Sequence, residues 1–210
     1  MNLKTIIASA AIALNVLATS ASAENVYGYV LANRTLVEPN YTYSFGDTVP
    51  IKADGNGITL GFGKALTPAV AIEGDISFGD YESNRIVGST FPCVTIGEGC
   101  KMKADWLATL RVTARTEMGK LSPYVTAGFA AGHIKGSADT GPCGFIDCGY
   151  SGTQAGFALG LGTDYALSDR IALRAELMQI LLKSPDFSAS TVTSGGYAFT
   201  QIRVGMKYAF

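Results

Sequence analysis

The final stretch of the sequence reads Thr200-Gln201-Ile202-Arg203-Val204-Gly205-Met206-Lys207-Tyr208-Ala209-Phe210. Thr200, Ile202, Val204, Met206, Tyr208 and Phe210 fall on one face. Gln201, Arg203, Gly205, Lys207 and Ala209 fall on the other. Side chains alternate across a strand, so this period of two reads as β-structure. A soluble sandwich would turn the apolar face onto a core. A membrane barrel would turn it to lipid and line its interior with the polar face. One strand fits both; the set of strands separates them.

The same character recurs near 24–33, 57–66, 69–80, 104–117, 123–134, 153–165, 170–182 and 198–210. Ile72 and Ile76 alternate with Glu73 and Asp75; Leu110 and Val112 with Arg111 and Thr113; Leu173 and Leu177 with Arg174 and Glu176. The first and fifth segments are rich in Gly and Ala, and their phase stays open. Three connections are tight, around Thr67-Pro68, Gly119-Lys120-Leu121-Ser122 and Ser168-Asp169. Four are long: 34–56, 81–103, 135–152 and 183–197. Short alternating with long is the signature of an up-and-down barrel, with short turns on the periplasmic side and long loops outside. The expected fold is therefore all-β: an eight-stranded antiparallel up-and-down transmembrane β-barrel.

The polar phase carries Glu73, Asp75, Asp164 and Glu176 against Arg111, Arg115, Arg174, Arg203 and Lys207. Charge is costly on a lipid face and tolerable inside a narrow barrel when opposite signs pair. The near balance predicts a salt-bridged, plugged interior. A barrel of about eight strands is only wide enough for side chains to fill it. Tyr27, Tyr29, Trp106, Tyr124, Tyr165, Tyr208 and Phe210 lie near strand ends, where interfacial aromatic girdles sit.

Lys4, the apolar run Ile6 to Ala18 and the small-x-small box Ala21-Ser22-Ala23 read as a secretory signal peptide over 1–23, with the barrel spanning 24–210. The sequence is 48% hydrophobic and 16% charged, yet its mature part holds no continuous apolar run of helix-spanning length. The net charge of −1 excludes the basic stripe that a nucleic-acid partner requires. Cys93, Cys100, Cys143 and Cys148 are an even set in an exported chain, which reads as disulfides. Three connectivities are open, and two local bridges, 93 with 100 and 143 with 148, are the simplest. The six residues between Cys93 and Cys100 exceed the roughly two-to-four-residue gaps of zinc sites, and no histidine ligand is near either pair. No phosphate or dinucleotide loop occurs, so no cofactor or metal is expected.

The terminal Tyr208-Ala209-Phe210 resembles the assembly signal that the barrel-assembly machinery reads on outer-membrane proteins. Asp105-Trp106-Leu107-Ala108-Thr109-Leu110-Arg111 with Leu121-Ser122-Pro123-Tyr124-Val125-Thr126-Ala127-Gly128 is similar to the fourth-to-fifth strand hairpin of the outer-membrane immunogenic proteins. These are the small opacity-protein-like, "porin family" barrels, relatives of the OmpA/OmpX type. Gly160-Leu161-Gly162-Thr163-Asp164-Tyr165-Ala166-Leu167-Ser168-Asp169-Arg170 resembles their sixth-to-seventh hairpin. Two departures stand out: Thr113-Ala114-Arg115 is more polar than the family pattern, and the cysteine pairs are not a general family feature. The chain also ends at the barrel, without the peptidoglycan-binding domain of larger relatives.

The resemblance implies a non-enzymatic surface barrel of the cell outer membrane. Its roles would be envelope structure, surface antigenicity, or adhesion through the long loops. The expected partners are membrane lipid, lipopolysaccharide, the assembly machinery, and a host or surface ligand at loops 34–56, 81–103, 135–152 and 183–197. Tyr41, Tyr43 and Phe45 in the first loop form a contact patch or pack on the rim. A passive pore is the alternative, weakened by the strand count. A lipid A-modifying enzyme would need a nucleophile beside a base. The only histidine is His133, and Ser137, four residues on, lies too far along a strand to serve it. A soluble lipocalin-like barrel would leave Ile202, Val204, Met206 and Tyr208 as an apolar belt in water.

Overall fold

The alternating segments form a closed antiparallel barrel in the computed structural model, which describes residues 25–43, 48–50, 53–82, 100–138, 150–183 and 192–210. Its eight staves are β1 (Val26–Tyr43), β2 (Ala53–Ala65), β3 (Val70–Gly79), β4 (Cys100–Arg115), β5 (Leu121–Ala138), β6 (Tyr150–Ala166), β7 (Ile171–Leu182) and β8 (Val192–Ala209). Two short pieces, Thr48–Pro50 and Tyr81–Glu82, pair onto β1 and β4. Each stave pairs with its sequence neighbour, and β8 returns to β1 from Tyr27↔Ala209 to Tyr43↔Val192. Closure leaves no free edge through the membrane, where an unpaired backbone group has no water to bond.

The tight turns are built from local chemistry. Thr67 Oγ1 accepts from the backbone N–H groups of Ala69 and Val70, and Ser168 Oγ does the same for Arg170 and Ile171. Gly119 turns the third at φ +66°, a backbone region glycine enters without a Cβ penalty.

Phase is read from burial. Leu110 is 58% exposed, Val125 61% and Phe129 69%, while Arg111 between such neighbours is 1% exposed. Leu60, Phe62, Ile72, Phe157, Leu159, Leu161, Leu173, Leu177, Ile202, Val204 and Met206 complete an outward apolar belt. The structure also settles the two open segments. In β1, Tyr27, Tyr29, Leu31, Asn33, Thr35 and Val37 point inward; in β5, Tyr124, Thr126, Ala130 and Ile134 do.

Two expectations are corrected. The segments read as long loops are partly strand, because β1 runs to Tyr43, β5 to Ala138, and β4, β6 and β8 begin at Cys100, Tyr150 and Val192. A strand needs about 9–11 residues to cross the bilayer. The 18 residues of β1, about 60 Å of extended chain, carry the ladder well beyond it. Outside the lipid the outward positions no longer need to be apolar, so the alternation that marks a strand in the sequence fades. The second correction concerns the interior, which is not uniformly polar. Leu107, Ile134, Met178, Ile180, Leu182 and Phe199 fill its outer part. The signal segment 1–23, Cys93, Cys143, Cys148, Phe45 and the side chains of Tyr41, Tyr43 and Cys100 lie outside the described residues.

Candidate functional site

The barrel interior is where the sequence concentrated its charge, and its packing begins with glycine. Tyr27 sits opposite Gly63 and Tyr29 opposite Gly61 on β2, and Tyr124 sits opposite Gly162 on β6. Each ring lies flat over its cross-strand glycine. A Cβ at Gly61 would come 2.0 Å from the Tyr29 ring, at Gly63 2.5 Å from Tyr27, and at Gly162 2.6 Å from Tyr124. Glycine within a strand here marks the close approach of another group. These three tyrosines are thus interior residues, not members of the aromatic girdle expected from their place near strand ends. The reason is the missing Cβ across the ladder, which opens a slot inside the wall. Trp106, Tyr165, Tyr208 and Phe210 do remain partly or well exposed.

The rings frame a chain of alternating charge. Lys207 Nζ donates to Asp164 at 2.8 Å, and Arg174 Nε grips the same carboxylate at 2.8 Å. Arg174 Nη2 then donates to Glu73 at 3.0 Å. Arg111 follows at the centre, 3.2 Å from Glu73, 2.7 Å from Asp75 and 2.7 Å from Glu176. Arg203 closes the series, 3.2 Å from Asp75 and 3.1 Å from Glu176. Every one of the four carboxylates is shared by two cations. That sharing offsets the several kcal/mol it costs to bury each ion. The tyrosines take up remaining lone pairs: Tyr27 donates to Glu73 at 2.6 Å, Tyr29 to Asp75 at 3.1 Å and Tyr124 to Glu176 at 3.2 Å. The Arg174 guanidinium lies 4.6 Å from the Tyr29 ring centroid and 4.9 Å from that of Tyr124, a cation–π sandwich.

Outward of Arg203 the polarity becomes neutral. Arg203 donates to Gln201 at 2.8 Å, Gln201 to Thr35 at 2.9 Å, Asn33 to Thr59 at 2.9 Å, and Tyr81 to Asn33 at 3.0 Å. The alternation placed Thr59 and Gln201 on the polar face, but Asn33, Thr35 and Tyr81 were not read as interior residues. The signal available was their inward phase, which in β1 was hidden by its small residues. Arg115 departs from the expected network. It stands at the short-turn mouth with its guanidinium 5.8 Å from the Tyr27 ring, and among the described residues no carboxylate lies within ion-pairing distance.

Gly61→Val tests the slot. Overpacking of this kind costs about 1–3 kcal/mol, and here it also displaces a ring bonded to Asp75 and Arg111. A lowered urea midpoint of the lipid-embedded barrel is expected. An unchanged midpoint would mean that the Tyr29 ring has room to move.

On the outer wall, His133 of β5 stacks on Trp106 of β4, ring centroids 6.4 Å apart. Its hydroxyl neighbours come from β6: Ser151 Oγ is 3.4 Å from Nε2 and Thr153 Oγ1 3.4 Å from Nδ1, while the Ser137 side chain lies outside the described residues. Asp105 approaches the same Nε2 at 3.9 Å and is itself paired with Lys135 at 2.7 Å. Asp105 sits in the bulge between Ala104 and Trp106, which turns it to the outer rim. Tyr208 and Phe210, the residues of the expected assembly signal, meet edge to face at 5.4 Å, with the Phe210 ring beside Gly28.

An apolar outer belt around a filled, charge-paired interior defines a small membrane-spanning β-barrel of the outer-membrane kind. The sequence matches the outer membrane protein beta-barrel domain over residues 6–210, and the chain belongs to that family. It resides in the outer membrane. It is 27% identical over 193 residues to a 25 kDa outer-membrane immunogenic protein of Brucella canis, covering 83% of this chain and 82% of that one. It is 24% identical over 159 residues to a 31 kDa outer-membrane immunogenic protein of Brucella melitensis, covering 73% of this chain; there the chain spans 65% of the relative's length. Among solved structures it resembles the outer membrane protein OprG of Pseudomonas aeruginosa, with a TM-score of 0.56 at 12% identity, over 89% of this chain and 96% of that one. Neisserial surface protein A is similar with a TM-score of 0.51 at 14% identity, over 91% of this chain and all of the other. Likeness at these identities concerns the fold.

Proposed function

We propose that this chain is a non-enzymatic surface barrel that serves the envelope and meets ligands through the outer strand ends and the loops between them. The observation that carries this reading is the filled interior. Arg111 lies across the barrel in hydrogen bonds to three carboxylates, so passage along the axis would require breaking ion pairs in a site without bulk water. Activity is thereby left to the outside. The outer ends of β1, β5 and β8 form a rigid base for loops, and loops on a rigid scaffold are where recognition concentrates. Segments 34–56, 81–103, 135–152 and 183–197 are the ligand-contact candidates. Lipopolysaccharide around the belt and the barrel-assembly machinery at Tyr208 and Phe210 complete the proposed partners. The immunogenic names of the relatives support exposure at the cell surface.

The His133 neighbourhood supports a non-enzymatic reading as well. A hydrolytic relay needs the hydroxyl and the orienting carboxylate on opposite ring nitrogens. Here the groups on opposite nitrogens are Thr153 at 3.4 Å and Asp105 at 3.9 Å, both longer than a normal hydrogen bond, and Asp105 is already held by Lys135 at 2.7 Å.

The test is loop replacement with the barrel intact. Each outer segment is exchanged for a short turn, and variants are kept only if the unboiled band still migrates faster on SDS gels than the boiled one. Binding of whole cells to host surfaces and recognition by antisera are then measured, along with conductance of the purified barrel in planar bilayers. Loss of binding or recognition with one loop, and no steady conductance, is expected. Steady conductance that Arg111→Ala enlarges would replace this reading with the passive pore.

A further inference from the structure

We propose that the short-turn mouth of the barrel binds a compact oxyanion, the carboxylate or phosphate group of a periplasmic solute, with Arg115 as its principal donor. Outer-membrane barrels place their short turns in the periplasm, so this mouth opens on that side. A cavity of about 180 Å³ lies there, between the end of β4 and the β6–β7 turn. Liquid water takes about 30 Å³ per molecule, so the space suits one oxyanion head and a short stem.

The charge arithmetic sets the sign of the guest. Three cations, Arg115, Arg170 and Lys207, line the cavity with two carboxylates, Asp164 and Asp169. Asp164 is already held by both Arg174 and Lys207. Among the described residues the interior chain of four carboxylates and four cations is complete without Arg115, which is left as surplus positive charge at the edge of a low-dielectric core. The guanidinium lies 5.8 Å from the centroid of the Tyr27 ring, which Lys207 Nζ shares at 4.0 Å. A guanidinium offers five donors in a planar fork suited to carboxylate or phosphate. Ser122 lines the same cavity and carries a hydroxyl that can donate. An oxyanion seated between Arg115 and Lys207 answers all of these at once.

The experiment is an amide-resolved NMR titration of the intact barrel in detergent micelles. Inorganic phosphate and N-acetylalanine are the probes, and chloride at matched ionic strength is the control. Saturable shifts confined to the amides around Arg115, Arg170 and Lys207 are expected, with a dissociation constant of about 1 mM or tighter for one probe. Tighter phosphate binding would assign the site to a phosphate source; tighter N-acetylalanine binding would assign it to a peptide end. Arg115→Gln should weaken binding about tenfold or more, the scale of a charge-assisted hydrogen bond. Arg115→Lys, which keeps the charge and loses the fork, should fall between the two. Shifts that never saturate, that chloride reproduces, or that survive unchanged in Arg115→Gln at an intact gel shift would overturn the proposal.

Discussion

Arg111→Met unfolds the barrel at a much lower urea concentration than the parent, with a loss of about 3–5 kcal/mol. The size follows from what is left behind. Arg111 is the one cation that touches Glu73, Asp75 and Glu176 together. Without it, Glu73 keeps Arg174, while Asp75 and Glu176 both depend on Arg203. Three buried carboxylates then share two guanidiniums, with lipid beyond the wall in place of water. Breaking a buried pair from one side costs more than the pair itself contributes, because the surviving charge stays buried. The measurement is reversible urea unfolding in lipid vesicles, followed by tryptophan emission from Trp106. Adding Glu176→Gln to Arg111→Met removes one orphaned charge and should restore part of the loss, a coupling that a double-mutant cycle isolates. A cost below about 1 kcal/mol, the range of an exposed ion pair, would mean that water reaches the network and that the plug is not dry.

The second large effect lies on the opposite face of the same wall. Leu161→Arg places a charge in the belt, where Leu161 is 58% exposed between Leu159 and the β7 neighbour Leu177. An arginine near the bilayer midplane of an outer-membrane barrel costs about 2–4 kcal/mol, falling to about 0–1 near the interface. Leu167→Arg is the comparison, because Leu167 is just as exposed at 51% but belongs to the β6–β7 turn at the membrane edge. The expected result is a large fall in the unfolding midpoint for the first and a small one for the second. Equal costs would sink the depth assignment, since exposure alone would then account for both. One residue from Leu177 and Leu173, Glu176 and Arg174 are charged and buried, so the pleat separates the two solvents of this wall.

That separation is also why so much of the barrel was legible in the sequence. Over 109–113 of β4, 173–177 of β7 and 201–208 of β8 apolar and polar residues alternate, and the barrel, its inward charges and the belt follow from that period. The three tight turns carry their own signals in Thr67-Pro68, Gly119 and Ser168. Eight of the nine residues read as interior charges do meet in one ion-pair chain. Their partners were not legible, because Arg174 and Glu73 are 101 residues apart and meet only across the closed barrel.

Tertiary structure alone decided the rest. Tyr27, Tyr29 and Tyr124 look like girdle residues until Gly63, Gly61 and Gly162 are placed opposite them; register, which no single strand encodes, turns them into the lining of the plug. Arg115 looks like one more member of the network until the strand end sets it at the short-turn mouth, where among the described residues no carboxylate lies within ion-pairing distance. The outer ends of β1, β5 and β8 look like loops because alternation is enforced only where lipid lies on one side. The sequence by itself determined which face meets lipid in six of the eight strands, all but the Gly- and Ala-rich β1 and β5, since the bilayer tests every outward residue separately. Closure determined which interior residues touch, since a side chain inside a barrel bonds to whatever the opposite wall presents.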